Sequence, residues 1–311
     1  MEDEQQITLA NEPAEVDRTA SEPELVAVSS PAVPSLNTGE RKEVVKRSRM
    51  SAVVVHETIR EEGERELRRS PAALALSGLG AGLSMGFSLV TQGLIHACLP
   101  PNAPWAPLLE NFGYCVGFLI VVLGRQQLFT ENTLTAILPL LAHFNRRMIL
   151  RVARLWAIVL LANLCGALIF AWVISHTEIF TPAIQHAFAQ VSMHSLRGGF
   201  GLVVLRGIFA GWLIALMVWL LPNSGNTRLH VIILITYVVA LGGFAHIIAG
   251  SVDVLYLVNK GIISWLTYLG GFMIPTLIGN ILGGVSLVAV LNFAQVASEK
   301  LGNGYGGVKT P

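Results

Sequence analysis

Charge is what most of this sequence lacks. Residues 71–298 hold nine Lys/Arg and four Asp/Glu, and over the whole 311-residue chain 13% is charged against 53% hydrophobic. A soluble domain carries about 25% charged residues, so these figures and a mean hydropathy of +0.60 exclude an ordinary soluble enzyme. The formal net charge is +1 and the basic residues are scattered. No basic face forms, which excludes nucleic acid as a partner. Cysteine is also scarce. Cys98, Cys115 and Cys165 lie in or beside apolar runs without CxxC spacing, and are expected to be small buried hydrophobes. No metal or cofactor is called for. Residues 1–48 contain no apolar h-region; polar and Pro/Ser-containing, they read as a disordered cytoplasmic tail. Residues 297–311 read as a second, short cytoplasmic tail.

What the sequence has instead is apolar runs. Six lie near 73–98, 108–141, 149–174, 199–221, 230–257 and 265–294, each long enough to cross roughly 30 Å of hydrocarbon with about 20 residues. Residues 71–296 are therefore expected to form an all-α, six-span membrane domain, opened by Ser70-Pro71 as N-cap and first helical residue. Arg60, Arg65, Arg68 and Arg69 precede the first run; Arg146, Arg147, Arg151 and Arg154 lie between the second and third, and Arg228 between the fourth and fifth. The alternate connections carry none, Arg197 and Lys260 respectively. Positive charge stays inside, so both termini are expected in the cytoplasm. Residues 49–70 read as an amphipathic helix against the inner face.

The second half echoes the first. "GLGAG" (78–82) returns as "GIFAG" (207–211), and "NLCG" (163–166) as "NILG" (280–283). The second and fifth runs both carry polar interruptions, "GRQQLFTEN" (124–132) and "GGFAHIIAGS" (242–251). Each motif recurs three spans later, which predicts two halves of inverted topology, as in many channels and secondary transporters. In lipid a helix breaks only where it faces protein or a watery cavity. The two interruptions are thus expected to line one central path, with half-helix ends turned toward a substrate.

At these residues the sequence resembles the formate/nitrite transporter family of aquaporin-like anion channels. "LFTEN" with the following "TLTA" is similar to the family's second-helix loop, and "GGFAHIIAGS" to its broken fifth helix with a central histidine. "ANLCGALIF" and "IPTLIGNILGGV" are similar to its third and sixth helices, and the "GRQQLFTEN" version resembles a bacterial inner-membrane subgroup. The resemblance covers about residues 70–295. It implies a homopentamer, a small monovalent anion as cargo, with or without a proton, His246 as the pore histidine, Leu128 and Phe129 at the inner constriction and Thr130 facing His246. Ala245 and Gly250 stand where the family usually has Glu and Asn, and residues 176–198 lack its lysine.

The residues also have plainer readings. His246 is a pore group or a hydrogen-bonded interior residue. Thr130 and Asn132 either line the path or cap the helix that resumes there. Arg125 and Glu131 are expected to pair with each other. Arg206 either snorkels or lines an outer vestibule that attracts anions, and Phe244 is expected on the substrate pathway as an apolar neighbour of His246. Asn163 and Asn280 belong with the structural pore-loop residues. Gly78, Gly82 and Gly86 form a packing stripe. Alternatives remain an aquaporin-like neutral-solute channel, a structural membrane protein and an intramembrane serine protease built on Ser84 (G-x-S-x-G, 82–86) and His246.

Overall fold

The computed structural model describes residues 37–40, 50–100 and 103–291. The expected tail at 297–311 lies outside them, as does all of the 1–48 tail but residues 37–40. That short piece belongs to a separate unit, in which Asn37 Oδ1 accepts from Glu40 N at 2.9 Å.

Among the described residues from 50 to 291 all the regular structure is helical. Helix α1, Ala52–Arg68, is capped by Ser51, whose hydroxyl accepts from Val54 N. Val55, Ile59, Gly63 and Leu67 recur every four residues and form its buried face. Glu and Arg on the other faces pair along the helix, Arg60 with both Glu57 and Glu64. A Cβ on Gly63 would meet Thr135 O at 1.9 Å, and Arg154 donates to Leu67 O at 2.9 Å. α1 is therefore fastened onto the domain beneath it.

Among the described residues five helical segments are long and apolar enough to cross a membrane. They comprise α2, Pro71–Cys98, and α3, Ala106–Leu123; α6, Arg146–His176, and α8, Phe200–Leu220 with the 3-10 turn after it; and α11, Ile274–Leu291, entered through a π-helical turn at Thr267–Met273. The second apolar run is not continuous. It passes from α3 through residues 124–128 into α4, Phe129–Thr135, and α5, Ile137–Ala142. The fifth is divided likewise into α9, Arg228–Leu241, and α10, Ala249–Asn259. One helix went unanticipated: α7, Pro182–Met193, in the connection before α8. At 12 residues it is too short to register as a span.

Close helix contacts are made at small residues. A Cβ on Gly82 would meet Asn163 O at 2.1 Å, and one on Gly211 would meet Asn280 O at 2.3 Å. These pairs bring α2 against α6 and α8 against α11. Only Cys115 among the three cysteines is buried; Cys98 and Cys165 are exposed. The expectation that all three are buried fails because a spanning helix carries apolar side chains on its outward face too.

Candidate functional site

The two breaks are built alike. α3 ends at Gly124 and α9 at Gly242, and the next residues, Arg125 (φ 51) and Gly243 (φ 59), are left-handed. Gln126 N then bonds Val121 O, and Phe244 N bonds Val239 O, both at 3.0 Å. Arg125 N and Gly243 N bond three residues back, to Val122 O and Ala240 O, which completes a Schellman ending at each site. Glycine adopts that conformation freely; Arg125 does so at a steric cost.

An asparagine from another helix bridges each break. Asn163 on α6 accepts from Phe129 N at 2.9 Å and donates to Gly78 O and Gln127 O, both at 2.8 Å. Asn280 on α11 accepts from Ile247 N at 2.9 Å and donates to Gly207 O at 2.9 Å and Ala245 O at 2.8 Å. These side chains satisfy backbone groups that the interrupted helices leave open. Capping of α4 thus falls to Asn163, not to Thr130 or Asn132. Asn132 instead donates to Gln127 Oε1 and accepts from Thr135 Oγ1.

His246 joins the two breaks. Its Nε2 lies 2.8 Å from Thr130 Oγ1, and its Nδ1 accepts from Ile248 N and Ala249 N at 3.3 and 3.2 Å. Two donors on Nδ1 put the ring proton on Nε2, so the imidazole donates to Thr130 and caps α10. Phe118 presents its edge to the ring at a centroid distance of 4.9 Å.

Two cavities approach this point. One, of about 660 Å³, is lined by α1 together with Arg125, Gln127, Glu131, Asn132 and Arg228. The other, of about 360 Å³, is lined by Phe244, His246, Arg206, Glu110 and Asp253 among others. Leu128 and Phe129 line neither and are fully buried; Phe129 packs edge-on against Trp156 at 5.9 Å. Phe244 stacks on Phe209 at 5.1 Å. Arg206 is half-buried and donates to Arg197 O.

The expected Arg125–Glu131 pair does not form. Arg125 reaches Glu62 on α1 at 3.3 Å, because its left-handed backbone turns the side chain outward, while Glu131 Oε1 is buried without a hydrogen-bond partner. The protease arrangement does not assemble either, since Ser84 lies within α2 and His246 is engaged with Thr130. A Gly250 Cβ would meet the Phe272 ring at 2.4 Å, so an aromatic ring occupies the space beside this position.

The formate/nitrite transporter family model matches residues 53–294. The chain belongs to the formate/nitrite transporter family. It is a transport protein rather than an enzyme. It is 42% identical to the inner membrane protein YfdC of Escherichia coli over 248 residues, 80% of each chain. It is 26% identical to the formate channel BtFdhC of Bacillus thuringiensis, covering 77% of this chain and 93% of that one. A pentameric formate channel with formate bound shares the fold at a TM-score of 0.62, with 21% identity and coverage of 73% and 98%.

Four residues around the second cavity went unremarked in the sequence. Glu110 is held by His96 Nδ1 at 2.7 Å, and Asp253 accepts from Ser195 Oγ at 2.9 Å. Tyr114 and His194 share the lining. Burial, with Arg197 beside it, holds the His194 imidazole below its ordinary range. The signal available was a lone carboxylate in an apolar run, which is a functional candidate by default.

Proposed function

We propose that this family member is a channel for small monovalent anions such as formate or nitrite in a bacterial inner membrane. In this reading the chain crosses six times in two inverted halves, both termini are cytoplasmic, and five copies assemble, each with its own path. The observation that carries it is the position of His246, which lines the second cavity while bonding across to Thr130 on the other break. The matching Schellman endings and the Asn163 and Asn280 bridges support the inverted repeat. The arginines between the second and third runs support the orientation. The Escherichia coli relative supports the membrane assigned, and the solved pentamer supports the assembly.

The path runs from the larger cavity, on the cytoplasmic side, past Leu128, Thr130 and His246 into the smaller one. Phe129, wedged against Trp156, backs this narrowing, and Asn132 and Phe244 stand on either side of it. An anion loses water among Leu128, Phe118 and Phe244. Taking a bare charge out of water costs far more than a permeation step allows, so donors must replace the shell. The Nε2–H of His246 and the Thr130 hydroxyl are the donors at that point.

Flux into proteoliposomes tests the reading. Formate and nitrite are expected to pass and glycerol to be excluded. Glycerol passage without anion passage would assign a neutral-solute channel, and passage of none of the three a structural protein.

A further inference from the structure

The second cavity has a charge balance that an anion path does not explain. Arg197 and Arg206 line it, and so do Glu110 and Asp253, whose exposures are only 5% and 7%. Glu110 is held by His96, whose other nitrogen meets Gln190 Oε1 at 3.0 Å. Asp253 has the Ser195 hydroxyl and, among the described residues, no ion pair. It sits on α10 seven residues after His246, on the order of 10 Å further along the axis at 1.5 Å per residue.

A fixed negative charge at that distance works against the anion. With an effective dielectric of about 20, a unit charge roughly 10 Å away lowers the local concentration of a like charge by roughly tenfold. Two carboxylates also cancel the two guanidiniums, which leaves the cavity without a net charge to draw an anion in. Protonating one carboxyl reverses this, since the lining then carries excess positive charge and gains a donor.

Of the two carboxyl groups, Asp253 is the one without a basic partner among the described residues. Glu110 is committed to His96. Burial and Arg197 hold the His194 imidazole below its ordinary range, which disfavours its charged form, and Nδ1 of His246 is occupied by two backbone donors. α6 meets α10 through the apolar Ala171, and α7 through Phe188, Val191 and Gln185, whose carbonyl accepts from the Tyr256 hydroxyl. The π-turn meets it through Phe272 and Tyr268, whose hydroxyl bonds Ser251. Tyr114, on α3, is a phenol and neutral at physiological pH.

We propose that Asp253 admits the anion to the second cavity only while it carries a proton, which makes entry from that face depend on the acidity of that face. In that state the carboxyl O–H donates a hydrogen bond to the anion and stays on Asp253. The anion then moves on toward His246, and Asp253 exchanges its proton with the solution on the same face. The proposal rests on the reading of the path as one for small monovalent anions.

Formate flux into proteoliposomes tests it, with the pH of the α7 face stepped from neutral to mildly acid and the opposite face held constant. Parent flux is expected to rise with acidity on the α7 face. Asp253→Asn keeps an oxygen for Ser195 to donate to; it is expected to raise flux at neutral pH by up to about tenfold and to flatten the profile. Ser195→Ala removes a donor that favours the carboxylate, so the rise is expected to move toward higher pH. A Asp253→Asn profile superimposed on the parent's overturns the proposal, as does flux driven only by acidity of the opposite face. Should that variant fail to assemble, an unshifted Ser195→Ala profile overturns it equally. A parent that passes no formate or nitrite at any pH overturns the anion path itself, a separate outcome from a conducting parent with an indifferent Asp253.

Discussion

Asn163 and Asn280, on different helices and at different breaks, make the same three hydrogen bonds. Each accepts from the N–H that opens the far side of its break, and each donates to the carbonyl two residues before that N–H. Each donates again to a glycine carbonyl on a packed neighbour, Gly78 or Gly207. Replacing either by leucine leaves one N–H and two carbonyls without their partner in a dry interior, at about 1–3 kcal/mol for each unsatisfied group. Asn163→Leu and Asn280→Leu are expected to lower the unfolding temperature of the detergent-solubilised protein to a similar extent. A large loss in one and none in the other would show that the two bridges are not equivalent supports.

His246 has two roles that substitution separates. Asparagine can accept from Ile248 N and Ala249 N as a helix cap does, but it is too short to reach Thr130. His246→Asn is therefore expected to keep parental stability while its anion flux and selectivity change. His246→Phe loses the cap as well, at a cost of about 1 kcal/mol. Thermal unfolding and proteoliposome flux of both variants check this, and identical flux in all three proteins would reduce His246 to a cap.

Phe129 is enclosed by Trp156 and the surrounding core rather than by either cavity. Phe129→Ala is expected to cost about 3–5 kcal/mol, the usual penalty for emptying a buried phenyl site. Unchanged stability together with higher flux would instead put the ring in the path.

Arg125 occupies a left-handed position where its counterpart is Gly243, and its bond to Glu62 is an exposed ion pair of small value. Arg125→Gly is expected to be stabilising, or neutral, by up to about 1 kcal/mol, read as unfolding temperature. Clear destabilisation would show that the link to α1 matters more than the backbone strain.

α1 lies against the end of α4 through Gly63. Gly63→Val forces a side chain into Thr135 O and is expected to lift α1 away. Hydrogen exchange across residues 52–68 should then rise by orders of magnitude while α2 stays protected. Topology is checked on a Cys98→Ser background, since Cys98 is exposed. Phe144→Cys, at an exposed site after the second run, is expected to resist an impermeant thiol reagent in intact cells.

The helical class and the polar character of the stretches at 124–132 and 242–251 were legible from residues alone. Lipid solvation imposes long apolar runs, and a left-handed helix ending favours glycine, so Gly243 announces itself in one dimension. The pairings were not legible. Arg125 and Glu131 are neighbours in sequence and oppositely charged, yet one positive φ sends the arginine to Glu62 and leaves the glutamate facing inward. Asn163 is 34 residues from Phe129, and Thr130 is 116 from His246, so no local spacing announces either bond. Asp253, Glu110 and Ser195 meet only because α3, α10 and the turn after α7 close around one cavity. Local sequence determines where backbone groups are left unsatisfied, because that depends on φ, ψ and nearby side chains. Which distant side chain satisfies them, and which charges then share a cavity, is decided by packing, because only close contact in a dry interior makes those partners better than water.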